Sequence, residues 1–260
     1  MNHPLAVPIA EALSAVVERR FSPEERALVA RIEALRTRLE AVEEPITVVD
    51  HGVGRPDAEV DAETAYAGRL VEWRLGELCR TRSMPAPWPL LLFHLVRRLQ
   101  SERCVELGAC LGISSAYQAA ALKLNRRGTL VTIEGSEALA DIARSNLTEL
   151  GLDQAEVVVG RFQERLGDVL RQQEPVDFVF IDGHHDYRAT IQYFEQALDA
   201  AAPNGVVVFD DIHWSRGMAR AWDEIQRHPR AAFSIDLRKL GLSILGHGDA
   251  LPAITVDVAS

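Results

Sequence analysis

Cys104-Val105-Glu106-Leu107-Gly108-Ala109-Cys110-Leu111-Gly112-Ile113-Ser114-Ser115 is the stretch that decides the fold. A short apolar run reads as a strand. Gly108 and Gly112 let the backbone turn and approach a ligand closely, and the residues beyond continue as a helix through Lys123. The same unit recurs downstream. Leu130-Val131-Thr132-Ile133, Glu156-Val157-Val158-Val159, Phe178-Val179-Phe180-Ile181 and Val206-Val207-Val208-Phe209 are further short apolar runs. Helical stretches near Ala138–Leu150, Arg161–Gln172 and Tyr187–Ala201 lie between them. Short apolar strands bounded by helices predict a parallel sheet covered on both faces. The expected fold is a doubly wound α/β sheet with ligands at the carboxyl ends of its strands.

Outward from that stretch, residues 101–260 read as the α/β domain and residues 1–100 as an N-terminal helical extension. Ser22-Pro23-Glu24-Glu25 has the order of an N-cap, a proline at the first helical position and acids in the first turn. Behind it Leu28, Ile32, Leu35, Leu39 and Val42 form an apolar stripe. That stripe suits either a helix lying on the main domain or a homo-oligomer contact through the N-terminal helices. Pro45 ends the helix, His51–Pro56 reads as a loop, and a second helix is expected from about Ala62 to Arg80, with another from Leu90 to Gln100.

The chain has 260 residues, 28 basic against 38 acidic, for a formal charge of −10. That balance argues against nucleic acid, which needs a clustered basic face. The longest apolar stretch, Leu90-Leu91-Leu92-Phe93, is far short of the ~18 residues of a membrane span. The opening Met1-Asn2-His3-Pro4 lacks the basic start and apolar core of a signal peptide, so the expected location is cytoplasmic. Cys79, Cys104 and Cys110 form no CxxC pair and suggest neither disulfide framework nor zinc knuckle.

In order, the strand ends are Glu106-Leu107-Gly108, Glu134-Gly135, Gly160, Asp182-Gly183 and Asp210-Asp211. Acids and glycines are common in turns, but four acid-bearing ends out of five on the ligand-binding edge point to a site. A dinucleotide fingerprint would require G-x-G-x-x-G; here Cys110 stands between Gly108 and Gly112, which argues against a nicotinamide dehydrogenase. Glu134 at the end of the second strand suits hydrogen bonding to ribose hydroxyls. Asp182, Asp210 and Asp211 are hard oxygen donors of the kind that hold Mg²⁺, Mn²⁺ or Ca²⁺.

Taken together, E-L-G-A-x-x-G-x-S from Glu106, T-I-E ending at Glu134, G-x-x-Q ending at Gln163, F-I-D-G-x-H-x-Y around Asp182 and F-D-D ending at Asp211 resemble the S-adenosylmethionine-dependent methyltransferases. The similarity is closest to the metal-dependent O-methyltransferases of catechol and caffeoyl-CoA type and their bacterial sugar and natural-product relatives. It spans about Arg103 to Trp214. The resemblance implies a mostly parallel seven-stranded sheet, completed by Phe233–Leu237 and Leu242–Leu245. It implies S-adenosylmethionine as cofactor, with Gly108, Ala109 and Ser114 at its methionine part, Glu106 near its amine, Glu134 at the ribose, Gln163 near the adenine and Asp182 at the same site. It also implies a divalent cation, Mg²⁺ first, on Asp182, Asp210 and Asp211, and a small hydroxylated molecule as acceptor.

The catechol-type pattern puts lysine three residues after the first metal aspartate, where this chain has His185. His185, with Asp182, is therefore the candidate catalytic pair, and His184 a weaker one. The two lysines, Lys123 and Lys239, stand far from these motifs in sequence. His213 and Trp214 are candidates for the acceptor pocket, as are Tyr66, Trp73 and Trp88, whereas Trp222 and Ile225 read as core. A metal-independent methyltransferase and a non-catalytic cofactor-binding protein are the alternatives.

Overall fold

The computed structural model describes residues 3–52, 67–246 and 254–256. Among them the helices are α1 (Ala6–Val17), α2 (Pro23–Glu40), α3 (Leu75–Arg82), α4 (Trp88–Leu99), α5 (Ile113–Asn125), α6 (Glu137–Leu150), α7 (Phe162–Gln173), α8 (Tyr187–Ala200) and α9 (Arg216–Ile225). The strands are β1 (Pro45–Asp50), β2 (Arg69–Arg74), β3 (Arg103–Leu107), β4 (Thr129–Glu134), β5 (Ala155–Val159), β6 (Val176–Ile181), β7 (Ala201–Phe209), β8 (Ala231–Asp236), β9 (Gly241–Leu245) and β10 (Ile254–Thr255). β3 to β10 make a mostly parallel sheet of eight strands, and β1 pairs with β2 separately. The fold is the expected doubly wound α/β sheet, one strand larger than the seven expected.

The chain divides into two compact units, one of Met1–Asp50, Leu70–Glu102 and Ala109–Gly160, the other of His51–Arg69, Arg103–Gly108 and Arg161–Ser260. In the first, α2 opens on a capping box: Glu25 N–H donates to Ser22 Oγ at 3.2 Å and Ser22 N–H to Glu25 Oε2 at 2.9 Å. Its stripe packs against α3 and α5, burying Ile32, Leu35 and Leu39 inside the unit. α1 packs on α4 and α4 on α5. β4 and β5 pair in parallel, Glu134 opposite Val159.

The extension is less helical than expected. The β-branched run Thr47-Val48-Val49 forms β1, and the span read as a helix to Arg80 is instead β2 followed by α3. Leu70, Val71, Trp73 alternate too little like a helix stripe to hold that reading, and the pairing with β1 selects the extended form. The beginning of that expected helix, from Ala62 to Tyr66, lies outside the described residues.

In the second unit the strands run β10-β8-β9-β7-β6-β3. Leu107 pairs with Ile181 and Ile181 with Phe209, both in parallel, so three strands end level. The residues that follow, Gly108, Asp182 and Asp210, are thereby placed on one edge. β9 inserts antiparallel between β7 and β8, with Phe209 opposite Gly241.

Candidate active site

In the first unit the glycine loop is tied to β4 through one carboxylate. Cys110, at φ +48°, donates its N–H to Glu134 Oε2 at 2.8 Å, and Ser136 N–H donates to Oε1 at 2.9 Å. With the Gly135 donor counted, three backbone N–H groups face the carboxylate's roughly four lone-pair sites, which leaves Glu134 some acceptor capacity. Burial pushes the Glu134 carboxyl above its ordinary range, and the backbone donors of Ser136, Cys110 and Gly135 oppose that shift. Gly112 caps α5 at φ +79°, where a Cβ would come within 3.1 Å of Ala143. Ala109 is buried in the loop and Ser114 in the first turn of α5.

In the second unit Glu106 is fully buried in β3. Gly108 has φ +101°, and a Cβ there would collide with the Asp182 carbonyl oxygen, so no other residue fits where β3 ends against β6. Asp182 N–H donates to Leu107 O at 3.0 Å. His184 and His185 follow at φ +62° and +47°, two successive non-glycine residues in the left-handed region, the kind of backbone strain that clusters at functional sites. The strained turn sends the two rings to different partners. His184 Nδ1 lies 2.6 Å from Tyr193 Oη and stacks against that ring, with Phe162 at its edge, which makes it an anchor of the turn. His185 Nε2 lies 3.5 Å from Asp182 Oδ1, and Trp214 covers its ring at 5.6 Å between centroids. Burial works against a charge on His185, but Asp182, joined by Asp210 and Asp211, outweighs it and raises the imidazole above its ordinary value.

The lysine dismissed on sequence distance sits at the centre of this edge. Lys239 Nζ is 2.9 Å from Asp210 Oδ1, 3.1 Å from Asp210 Oδ2 and 2.6 Å from Asp211 Oδ1. Burial alone would favour neutral Lys239; Asp210 and Asp211 together reverse this and lift its pKa well above the ordinary lysine range. Burial and the charge of Asp182 push Asp210 up, with Lys239 the strongest opposing cation. The signal was in the register. Phe209 faces Gly241 across an antiparallel pair, so two residues beyond one and two before the other stand Asp211 and Lys239.

The remaining candidates scatter. Gln163 is exposed on the first turn of α7. His213 turns away, its Nε2 2.8 Å from Asp236 Oδ2, an oxygen that also accepts from Trp222 Nε1 at 3.1 Å. Trp222 and Ile225 are core, as expected. Trp73 carries the Arg82 guanidinium at 5.6 Å, Trp88 is buried at the start of α4, and Tyr66 lies outside the described residues. Among the described residues no His/Cys/Asp/Glu cluster suited to a metal is found, and no helix is long and apolar enough to cross a membrane.

Known proteins share the region that carries this edge. Residues 105–212 match the family described as a methyltransferase domain. An O-methyltransferase from Bacillus cereus, solved in complex with SAH, is 27% identical with a TM-score of 0.55 over 64% of this chain and 83% of its own. The O-methyltransferase TomG from Streptomyces achromogenes, involved in tomaymycin synthesis and solved with SAM, is 28% identical with a TM-score of 0.53 over 64% and 82%. An SAH-bound methyltransferase from Podospora anserina, at 15% identity, shares the fold over 95% of this chain and 99% of its own with a TM-score of 0.59. No curated protein matches the sequence. With a methyltransferase domain spanning the glycine loop and the acid-bearing strand ends, the chain is a methyltransferase on the fold of the S-adenosylmethionine-dependent O-methyltransferases.

Proposed function

We propose that the chain transfers a methyl group from S-adenosylmethionine to a hydroxyl of a small molecule. The observation that carries this reading is the Asp182–His185 pair at the end of β6, on a strained turn within the methyltransferase domain. The residues present fit the cofactor. Glu134, with acceptor capacity left beyond its backbone donors, suits the ribose hydroxyls, and buried Glu106 suits an amine. Gly108, Ala109 and Ser114 would take the methionine part and Gln163 the adenine side, and Asp182 would serve the same cofactor. When bound, the cofactor supplies an electrophilic methyl group on sulfonium sulfur, which passes to the acceptor oxygen as the carbon–sulfur bond breaks. Asp182 holds the Nε2–H tautomer of His185, which leaves Nδ1 to accept the hydroxyl proton of the acceptor. Trp214, over the same ring, would cover the acceptor side.

The expected divalent cation fares differently. Three carboxylate donors suit Mg²⁺, Mn²⁺ or Ca²⁺ chemically. As they stand, however, two of them grip an ammonium, and the residues do not fit a resident ion while Lys239 keeps that position.

The test is calorimetric titration of chelated protein with S-adenosylhomocysteine, followed by transfer assays on phenolic and sugar hydroxyls. Micromolar binding is expected. His185→Ala should retain that binding and lower kcat by about 10²–10⁴-fold, the range for loss of a general base. No binding would overturn the reading, and binding without transfer to any acceptor would favour the non-catalytic alternative.

A further inference from the structure

We infer that Lys239 is the built-in counter-ion of the Asp210–Asp211 pair, occupying with its ammonium the place a divalent cation would take, so that this methyltransferase works without a metal there. The inference rests on the proposed transferase reading for its consequence, and on the second unit's geometry for its substance.

The ammonium contacts both oxygens of Asp210 and one of Asp211 at 2.6–3.1 Å. A divalent ion shared by the same carboxylates would need oxygens at about 2.0–2.6 Å around a point inside that contact set. Ammonium and metal cannot both hold it, because each needs the same lone pairs and the two cations repel. Asp182, the third expected ligand, faces His185. All three carboxylates therefore meet a cationic or protonatable side chain of this chain.

The lysine is also held in place rather than left as a free tail. Ile212 N–H donates to Lys239 O at 3.2 Å, beside Asp211 itself. Lys239 N–H donates to Leu237 O at 2.8 Å, and Leu237 N–H to Leu240 O at 2.9 Å, closing the turn between β8 and β9. Asp236 fastens the turn's start, Oδ1 accepting from Arg238 N–H at 2.8 Å and Oδ2 from Trp222. At the far end Gly241 lies so close to Trp222 that a Cβ would clash with the indole. The residue type fits as well. Only two of the chain's 28 basic residues are lysines, and a compact ammonium bridges two carboxylates at one point, where a guanidinium is a planar fork.

Lys239 acts here as a positioning residue, and its test reads metal binding as well as turnover. Full-length protein is stripped with chelator and titrated with Mn²⁺, followed by the electron paramagnetic resonance of free Mn²⁺. Wild type should show no saturable site below about 1 mM, and its transfer should be indifferent to chelator. Lys239→Met, which keeps the stem and removes the charge, and Lys239→Ala should each gain one Mn²⁺ site at least ten-fold tighter. Adding Asp211→Asn should abolish it. Transfer by the two single variants should fall and recover with Mn²⁺, which a merely structural lysine would not produce. Saturable Mn²⁺ binding by wild type that Asp211→Asn removes would overturn the inference. So would a Lys239→Met protein that binds Mn²⁺ no better than wild type. S-adenosylhomocysteine titration of the same wild-type sample separates the two readings: its failure sinks the transferase assignment, whereas the Mn²⁺ result judges Lys239.

Discussion

The two units hold their strand-end acids in opposite ways. In the first, Glu134 is held by backbone N–H groups from Cys110 and Ser136, and His94, fully buried between Phe21 and Phe93, has no hydrogen-bond partner on either ring nitrogen. In the second, side chains hold one another: Lys239 with Asp210 and Asp211, His185 with Asp182, His213 with Asp236. The difference shows in the histidines. Burial lowers His94 to about 4, which keeps it neutral, while the carboxylates raise His185. Local backbone can brace a single acid, but a row of three acids needs charge brought in from elsewhere in the fold.

The largest effect expected is at the junction the second unit cannot relax. Gly108→Ala puts a Cβ into the Asp182 carbonyl at a backbone conformation closed to L side chains. Strain plus overpacking should cost about 4 kcal/mol of stability. Gly112→Ala in the first unit, whose Cβ would stand 3.1 Å from that of Ala143 rather than inside a carbonyl, should cost about half as much. Urea denaturation of both variants measures the gap; equal losses would mean the β3 end is no tighter than the helix cap.

His94 turns the contrast into a pH dependence. Its folded value of about 4 lies below the ordinary 6.5, so the unfolded chain takes up the proton first as pH falls. The stability it contributes is whole above pH 6.5 and is lost as pH drops toward 4, to a total of about 3 kcal/mol. His94→Phe, a ring of similar size, should flatten that part of the profile. Denaturation midpoints at pH 7.5 and 4.5 for both proteins decide it, and an equal slope in the variant would place the pH sensitivity elsewhere.

Legibility in the sequence followed the range of the interaction. The strands from β3 to β7, the glycine turn and the strand-end acids were readable because each is written in neighbouring residues: an apolar run, a glycine, a carboxylate. Ser22 and Glu25, three apart, likewise announced the start of α2. Trp222 and Ile225 were readable as core from helix spacing. What escaped was set by pairing between distant segments. β1 and β2 are short and hydrogen-bond mainly to each other, so neither carries a periodicity of its own. Ile254–Thr255 is too short to show alternation. Lys239 lies 28 positions from Asp211, and only the antiparallel register of β7 with β9 brings them together. A register argument applied to the last two expected strands would have found it.

The role assigned to the first unit's acid is sharper to test. Glu134→Gln keeps the shape but presents an amide N–H₂ where a backbone donor needs an acceptor. Losing a charged hydrogen bond to the ribose and leaving a donor unmet is worth about 1.5–3 kcal/mol, or roughly 10–100-fold in S-adenosylhomocysteine affinity. Asp211→Asn should leave that affinity within about three-fold, since its oxygens serve Lys239. Titration of the pair separates the two acids, and an Asp211→Asn loss as large as that of Glu134→Gln would erase the division.

Gln163 should give the smallest response, and its size is informative. It stands exposed on the first turn of α7, where a side chain that touches the adenine does so with water on its other flank. An exposed hydrogen bond of this kind contributes about 0.5 kcal/mol, so Gln163→Ala should weaken S-adenosylhomocysteine about two- to three-fold and leave kcat unchanged. The same substitution should hardly alter stability, because alanine is the better helix former and no packing is removed. A ten-fold or greater loss would mean that α7 closes over the adenine and dries the bond. No change at all would leave Gln163 a solvated helix residue and remove adenine recognition from its side chain.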